Sequence, residues 1–314
     1  MNGVMTQTNN KTGNAALTYR AGAVEDSYAV FEVFEETVAD LIRRFGSRGS
    51  TSWHDPDALA RMWFERRPLY EHLARSADQF WVAEQDERIV GFARSIVNDG
   101  LRQLTELFVR PGVQANGVGR ELITRAFPAD ESRHRSIIAT TDFRAQGLYL
   151  KAGVYPRFPI YYFSREPEVV SVTTNLVVEP VVANDETLDT LARIDKKVLG
   201  HRRDITHRWL LSDRQGYLYI RDDQPVGYGY IGDRNGPFAL RDNSDFPAVL
   251  AHAESVAARH GREFGLEVPT INCSAVDYLI KRGFKLDTFV AIMMSNEPYG
   301  KFEHYILSSP PFFI

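Results

Sequence analysis

Two stretches of this 314-residue chain follow one plan, and that repetition limits what the chain can fold into. Residues 81–93 read Trp-Val-Ala-Glu-Gln-Asp-Glu-Arg-Ile-Val-Gly-Phe-Ala, and residues 217–229 read Tyr-Leu-Tyr-Ile-Arg-Asp-Asp-Gln-Pro-Val-Gly-Tyr-Gly. Each is a β-rich run broken by an acidic turn, the pattern of a hairpin, and Gly91 and Gly227 fall at equivalent places. Residues 145–154 are echoed in the same order, at nearly the same offset, by residues 275–284. Two ordered echoes favour a duplicated domain, and the chain length suits two domains that each carry a core. Periodicity and caps predict a strand at 17–21, helices at 25–44 and 56–75 with Asp26 and Asp55 as caps, a hairpin at 79–98 and a strand at 101–110. A helix at 117–127, a strand at 135–140, a helix at 143–152 and strands near 154–164 complete the first copy. The second copy predicts a strand at 176–182, helices at 184–198 and 204–212, a hairpin at 216–232 and a helix at 245–260. A strand at 263–268, a helix at 272–282 and strands near 284–295 follow. The expected division is a disordered tail at 1–16, domains at 17–165 and 176–314, and a polar linker at 166–175.

The most chemically specific segment is 104–120, Leu-Thr-Glu-Leu-Phe-Val-Arg-Pro-Gly-Val-Gln-Ala-Asn-Gly-Val-Gly-Arg. An apolar strand ends at Val109-Arg110-Pro111, a short loop follows, and a helical pattern opens at Arg120. A glycine-bearing turn into a helix gathers unpaired N–H groups at the positive end of the helix dipole, which suits an anion such as a pyrophosphate. Gly117 and Gly119 let the backbone approach it without a Cβ in the way. No Lys-Ser/Thr follows as in a Walker A loop, and no glycine stands at 122 for a dinucleotide fingerprint.

Composition narrows the classes. With 44% hydrophobic and 25% charged residues the chain reads as a soluble globular protein, and a net charge of −4 gives no electrostatic footprint for nucleic acid. Arg43-Arg44 and Arg202-Arg203 are too short to count as basic patches. The single cysteine, Cys273, rules out an internal disulfide or a cysteine-rich zinc site and reads as a small buried residue; no metal is expected. The polar start and the lack of a long apolar run point to a cytoplasmic protein that does not engage a membrane.

The order strand, Val-x-Pro, Gln-x-x-Gly-x-Gly, helix resembles the coenzyme A loop of the GNAT superfamily of N-acyltransferases. Helices first, then strands interleaved with two more helices, is similar to the GNAT order in both halves. The resemblance implies an α/β (α+β) fold of two tandem GNAT-like domains, each a mixed, mostly antiparallel sheet flanked by helices. It also implies acetyl-CoA as the acyl donor. The pyrophosphate falls to Gln114, Ala115, Asn116, Gly117, Val118 and Gly119 with Arg120 beside them. The backbone of Leu107, Phe108 and Val109 falls to the pantetheine arm and the thioester oxygen. The family's Asn, Ala, Tyr and Gly positions hold Asp142, Ala145, Tyr149 and Gly153. Tyr149 is therefore the candidate general acid for the departing thiolate. Asp142 replaces the asparagine that contacts the pantetheine amides and is equally suited to cap its helix. Glu106 is the leading general base, placed by strand alternation on one face with Phe108, while Leu107 and Val109 take the other. Gln103 cannot serve as a base, and His54 and His134 qualify only by residue type.

The second half departs from this pattern. Residues 236–243 contain no Gln-x-x-Gly-x-Gly, Asp242 and Asp245 oppose an anion, and Leu279 stands where the tyrosine belongs, with Tyr278 one place off. Asn272 and Ala275 persist, so a non-catalytic copy is expected, walling the acceptor pocket or forming a homodimer surface. The apolar tail 309–314 docks on a domain face or enters the groove. Acetyl transfer to a primary amine, small molecule before protein N-terminus or lysine, is the leading function. A non-catalytic acyl-CoA sensor or interaction module is the alternative.

Overall fold

The computed structural model describes residues 16–44, 52–114, 117–129 and 132–312. The first half runs β1 (Thr18–Ala21), α1 (Ser27–Arg44), α2 (Pro56–Ser76), β2 (Gln79–Gln85), β3 (Arg88–Asn98), β4 (Leu101–Val109), α3 (Val118–Ala126), β5 (His134–Thr140), α4 (Phe143–Lys151) and β6 (Tyr155–Arg165). The second runs β7 (Val177–Pro180), α5 (Asp185–Val198), α6 (Asp204–Asp213), β8 (Gln215–Arg221), β9 (Gln224–Ile231), β10 (Phe238–Leu240), α7 (Phe246–Arg259), β11 (Phe264–Pro269), α8 (Cys273–Lys281), β12 (Lys285–Ser295) and β13 (Tyr305–Ile306). Local chemistry sets the helix starts. Asp55 caps α2 by accepting from the N–H groups of Asp57 and Ala58, and Asn184 caps α5 through Thr187 N–H. Asp26 is not the cap of α1. It ends a short 3₁₀ turn, bonding back to Ala23 N–H and to Arg20, before α1 begins at Ser27.

Helices α1 and α2 cover one face of the first sheet through Val30, Phe31, Val33, Leu59 and Tyr70, packed on Phe80, Val82 and Phe92. Helices α3 and α4 cover the other, where Leu122, Ile123 and Tyr149 meet Ala83, Ala93, Val109 and Ile137. The alternation along β3 and β4 is what makes both faces apolar at once.

The repeat holds at the level of register. Gly91 faces Val109 across β3 and β4, and Gly227 faces Leu240 across β9 and β10. A Cβ would meet the Phe108 carbonyl oxygen at 3.1 Å from position 91 and the Ala239 carbonyl oxygen at 2.8 Å from position 227. The repeated glycine is thus required by the close approach of the fourth strand in each half.

One of the two sheets crosses the halves. One has eight strands in the order β1-β2-β3-β4-β5-β12-β6-β11, and the other has five in the order β13-β10-β9-β8-β7. Strand β12 lies between β5 and β6, antiparallel to both, while β6 lies between β12 and β11. The eight-stranded sheet thus combines β1–β6 of the first half with β11 and β12 of the second, and one long strand, β6 or β12, stands where the sequence pattern suggested two strands in each copy. The boundary at residue 165 therefore divides the chain but not the sheet. Cores follow suit: Leu101, Ile160, Ala291 and Met293 share a cluster with α5 and α6. Residues 166–176 form no regular element and run along α7, where Val170 N–H donates to Ser255 Oγ at 2.8 Å.

A polar knot lies inside the second half. Asp195, fully buried, accepts from Arg203 at 2.8 and 3.1 Å, from Tyr228 Oη, and lies 2.8 Å from His207 Nε2. Arg203 also donates to Tyr305 Oη at 2.9 Å. Burial opposes ionisation of Asp195, but Arg203 and His207 outweigh it and hold the carboxyl well below its usual range. Asp195→Ala would leave Arg203 charged and unpaired in the core. We expect a loss of about 3–5 kcal/mol of stability, read as a lower urea midpoint; an unchanged midpoint would contradict this description.

Candidate active site

Strands β4 and β5 run parallel and pair only where 101–104 meet 134–137. Among the described residues no ladder joins 105–109 to 138–140, so the strands part into a notch. A bulge at Thr105 marks the change, since Arg94 faces Glu106 while Ser95 faces Leu104. Arg110 N–H donates to Val90 O at 2.8 Å. By antiparallel alternation, Phe108 and Arg110 direct their backbone groups to β3, and Leu107 and Val109 direct theirs into the notch. Phe108, expected to offer its backbone to the acyl donor, therefore spends it on β3. The Val109 carbonyl is held by Gln114 Nε2 at 2.8 Å and Thr37 Oγ1 at 3.3 Å. Gln114 thus braces the strand end at the mouth of the loop.

Gly117 stands at the N-cap of α3 with φ of 82°, a left-handed conformation that favours glycine. Glu121 N–H closes the first helical bond onto Gly117 O at 3.1 Å, so Val118, Gly119 and Arg120 present N–H groups without intrahelical acceptors. Val118 is buried and Arg120 exposed, with no ion pair to Arg120 among the described residues. Ala115 and Asn116, the loop's middle, lie outside the described residues.

Tyr149 projects from α4 into the core below the notch, next to Val109, Val118 and Leu122, and is 6% exposed. No hydrogen bond to its hydroxyl is present among the described residues. Burial first, then the neighbouring Asp142 charge, push its ionisation well above the ordinary phenol value, so the phenol keeps its proton across the physiological range. Asp142 caps α4, accepting from Arg144 N–H at 2.9 Å, while Arg44 and Arg144 bond its carboxylate at 2.8 and 3.0 Å. Burial resists its ionisation, yet Arg144 and Arg44 bring its pKa down to about 2. Its oxygens are therefore committed to protein donors.

Glu106 is neither solvated nor free. It is fully buried and its Oε2 accepts from Arg94 Nε at 2.6 Å, with Arg94 also buried over the Phe80 and Phe92 rings. Oε1 has no partner, and neither has the nearby Tyr70 Oη. Burial raises the Glu106 pKa and Arg94 opposes the rise, leaving it above the usual carboxylate value. Phe108 lies on the same face, stacked on Phe92 and edge-on to Phe34 of α1 at 4.8 Å. Arg94, Tyr70 and Phe34 escaped sequence reading; the one signal was an arginine in an apolar strand twelve residues before the glutamate. His134 opens β5 at the far end from the notch, stacked on Tyr299, and His54 lies in a short 3₁₀ turn. Cys273, read as buried, is exposed at the start of α8. No group of three or more His, Cys, Asp or Glu residues that could hold a metal, and no helix long and apolar enough to cross a membrane, occurs among the described residues.

The second half has the same frame with different contents. Its chain passes from β10 to α7 through a compact 3₁₀ turn, Asn243–Asp245, in which Asp242 caps and Asp245 pairs with Arg221. Leu279, in the place of Tyr149, is core. The gap beside the fourth strand is filled: Phe238 and Ala239 of β10 pair with Ile306 and Tyr305 of β13. Leu307 N–H bonds Glu267 O of β11 at 3.0 Å. Asn272, the equivalent of Asp142, donates to Tyr305 O at 3.2 Å.

Residues 76–154 match the model of the acetyltransferase (GNAT) domain. The segment from β2 to α4 thus resembles a GNAT domain, and the fold of the two halves together is similar to that of a solved tandem GNAT protein. It is similar in fold to a putative acetyltransferase from Pyrococcus horikoshii, at 13% identity and TM-score 0.67 over 96% of each chain. A tandem GNAT protein from the clavulanic acid biosynthesis pathway aligns at 15% identity and TM-score 0.58, over 90% of this chain and 99% of that one. A GCN5-related N-acetyltransferase from Sphaerobacter thermophilus aligns at 15% and 0.57, over 90% and 96%. No curated protein matches the sequence.

Gly117→Ala tests the loop. A side chain there costs about 1–2 kcal/mol in the left-handed region, so the acetyl-CoA Kd should rise about 5–30-fold by titration calorimetry. An unaltered Kd would remove this loop from the binding site.

Proposed function

We propose that the chain transfers an acetyl group from acetyl-CoA to a primary amine on a small molecule. The observation that carries this reading is the notch between β4 and β5, with the Leu107 backbone and the Val109 N–H directed into it, the Gly117–α3 turn at its end and Tyr149 beneath it. Residues 114–120 would take the pyrophosphate, and the pantetheine arm would lie along β4 as an added strand. An N–H of Leu107 or Val109 then points at the thioester oxygen and stabilises the negative charge that gathers there when the amine attacks. Glu106 accepts the proton lost by the amine, directly or through a water, and its raised pKa brings its basicity closer to neutral pH. The tetrahedral adduct collapses by breaking the carbon–sulfur bond, and Tyr149 gives its proton to the departing thiolate. No covalent acyl-enzyme is required.

Two expectations follow from the proton inventory. Tyr149→Phe should lower kcat about 10²-fold with the acetyl-CoA KM unchanged, measured as free thiol release over a panel of amines. An unchanged kcat would eliminate its acid role. Glu106 must be ionised to act and its pKa is raised, so kcat/KM should fall as pH drops through a value above 4.5. Tyr149 ionises well above 10, so its loss should impose no alkaline limb below about pH 9. Glu106→Gln should abolish the acidic limb. Binding of acetyl-CoA with no turnover on any amine would favour a sensor instead.

A further inference from the structure

We propose that the C-terminal segment of the second half, residues 308–312, is a wall of the first half's acceptor pocket and that Phe312 selects acceptors whose amine is carried on an apolar body. This deepens the acetyltransferase reading and rests on it. The segment is held in place by its own half. Ser309 N–H donates to Asn235 O at 3.0 Å in the turn between β9 and β10, and Phe312 N–H donates to Pro310 O at 2.9 Å. Ser308 Oγ ties the same carbonyl at 2.9 Å. From that anchor Phe312 crosses to the first half, packing with Leu69 and Leu73 of α2 and Ile96 of β3. Its ring stands edge-on to Phe34 at 6.1 Å, and Phe34 stands edge-on to Phe108 at 4.8 Å and to Tyr70 at 6.2 Å. A continuous run of ring contacts therefore joins the tail to the strand that would carry the thioester.

The chemistry of this run identifies the occupant. Phe34, Phe108 and Phe312 are each only half-buried, so apolar surface is left open beside the proposed reacting atoms. The two carboxylates at its base are already engaged, Glu35 by Arg66 at 2.5 Å and Glu106 by Arg94. Among the described residues at its base, Glu106 Oε1 and Tyr70 Oη are buried oxygens without a hydrogen-bond partner, a pair that suits one amine. An aryl or branched alkyl group would cover the rings while its amine reaches those two oxygens.

The test uses the full chain, saturating acetyl-CoA and a series of amines: methylamine, hexylamine, phenethylamine, glucosamine and lysine. We expect kcat/KM to be highest for phenethylamine and hexylamine. Phe312→Ala should raise the KM for these two about ten-fold, with the acetyl-CoA KM unchanged. Phe312→Trp should narrow the pocket and shift preference from phenethylamine to smaller apolar amines, a size dependence that a purely structural role would not give. Turnover confined to polar amines, or an unaltered KM in Phe312→Ala, would overturn the inference and leave the acetyltransferase reading standing. Arg234, half-buried on the same β9–β10 turn and without an ion pair among the described residues, offers the competing rule. If Arg234→Ala rather than Phe312→Ala governs acceptor KM, the acceptor is held by an anionic group and the inference is wrong. Failure to bind acetyl-CoA at all would overturn the proposed function and this inference with it.

Discussion

The antiparallel pairing of β6 with β12 is the interaction on which the rest of the molecule depends. It inserts β12 of the second half between β5 and β6 of the first, so one eight-stranded sheet is shared by the two halves. Main-chain hydrogen bonds and the apolar faces they bring together are thereby shared. Phe163 of β6 lies in the core under α7 and α8, and Met294 of β12 lies in the core under α3 and α4. The same pairing fixes the orientation of the halves. It brings Trp209 of α6 onto His72 of α2, stacked at 4.9 Å, and sets the β9–β10 turn and the tail beside α1 and α2.

From this frame the two halves diverge by what lies next to the fourth strand. In the first, the notch is open, the chain leaves it through a glycine turn, and a protonated phenol sits below. In the second, the final residues occupy the equivalent gap. Ile306 and Tyr305 pair with β10, Leu307 bonds β11, and Arg203 holds the Tyr305 hydroxyl through the buried Asp195 knot. A backbone segment satisfies the strand edge there, as an acyl donor's amide arm would in the first half. One tail thus closes the second groove and continues onto α1, α2 and β3 of the first half.

Much of this was legible in the sequence because local physics wrote it. Helix and strand periods, the cap at Asp55 and the glycine turn at 117 each depend on neighbours within a few residues, and the helices fall within a few residues of their expected places. The acidic hairpins and their glycines gave the duplication, and the registers of Gly91 and Gly227 explain why glycine recurs. The strand exchange was not legible: β6 and β12 carry the same kind of pattern, and nothing local says whose sheet each joins. The burial of Glu106, read as the leading general base, was not legible because its partner, Arg94, meets it only across the β3–β4 register. The expectation for Phe108 failed for a related reason, since the direction of a backbone N–H depends on register and not on side-chain alternation. Tyr305 and Ile306 form a strand too short to announce itself, defined by the gap it fills.

One chain should hold one acetyl-CoA, in the first half, because its own tail occupies the second groove. The most direct measurement is a crystal structure of the full chain grown with excess coenzyme A. We expect a single molecule, its pantetheine arm between β4 and β5 and its pyrophosphate at 114–120, with Tyr305 and Ile306 still paired to β10. Coenzyme A lying between β10 and β11 with that segment displaced, or a notch at β4 left empty while the ligand binds elsewhere, would contradict it.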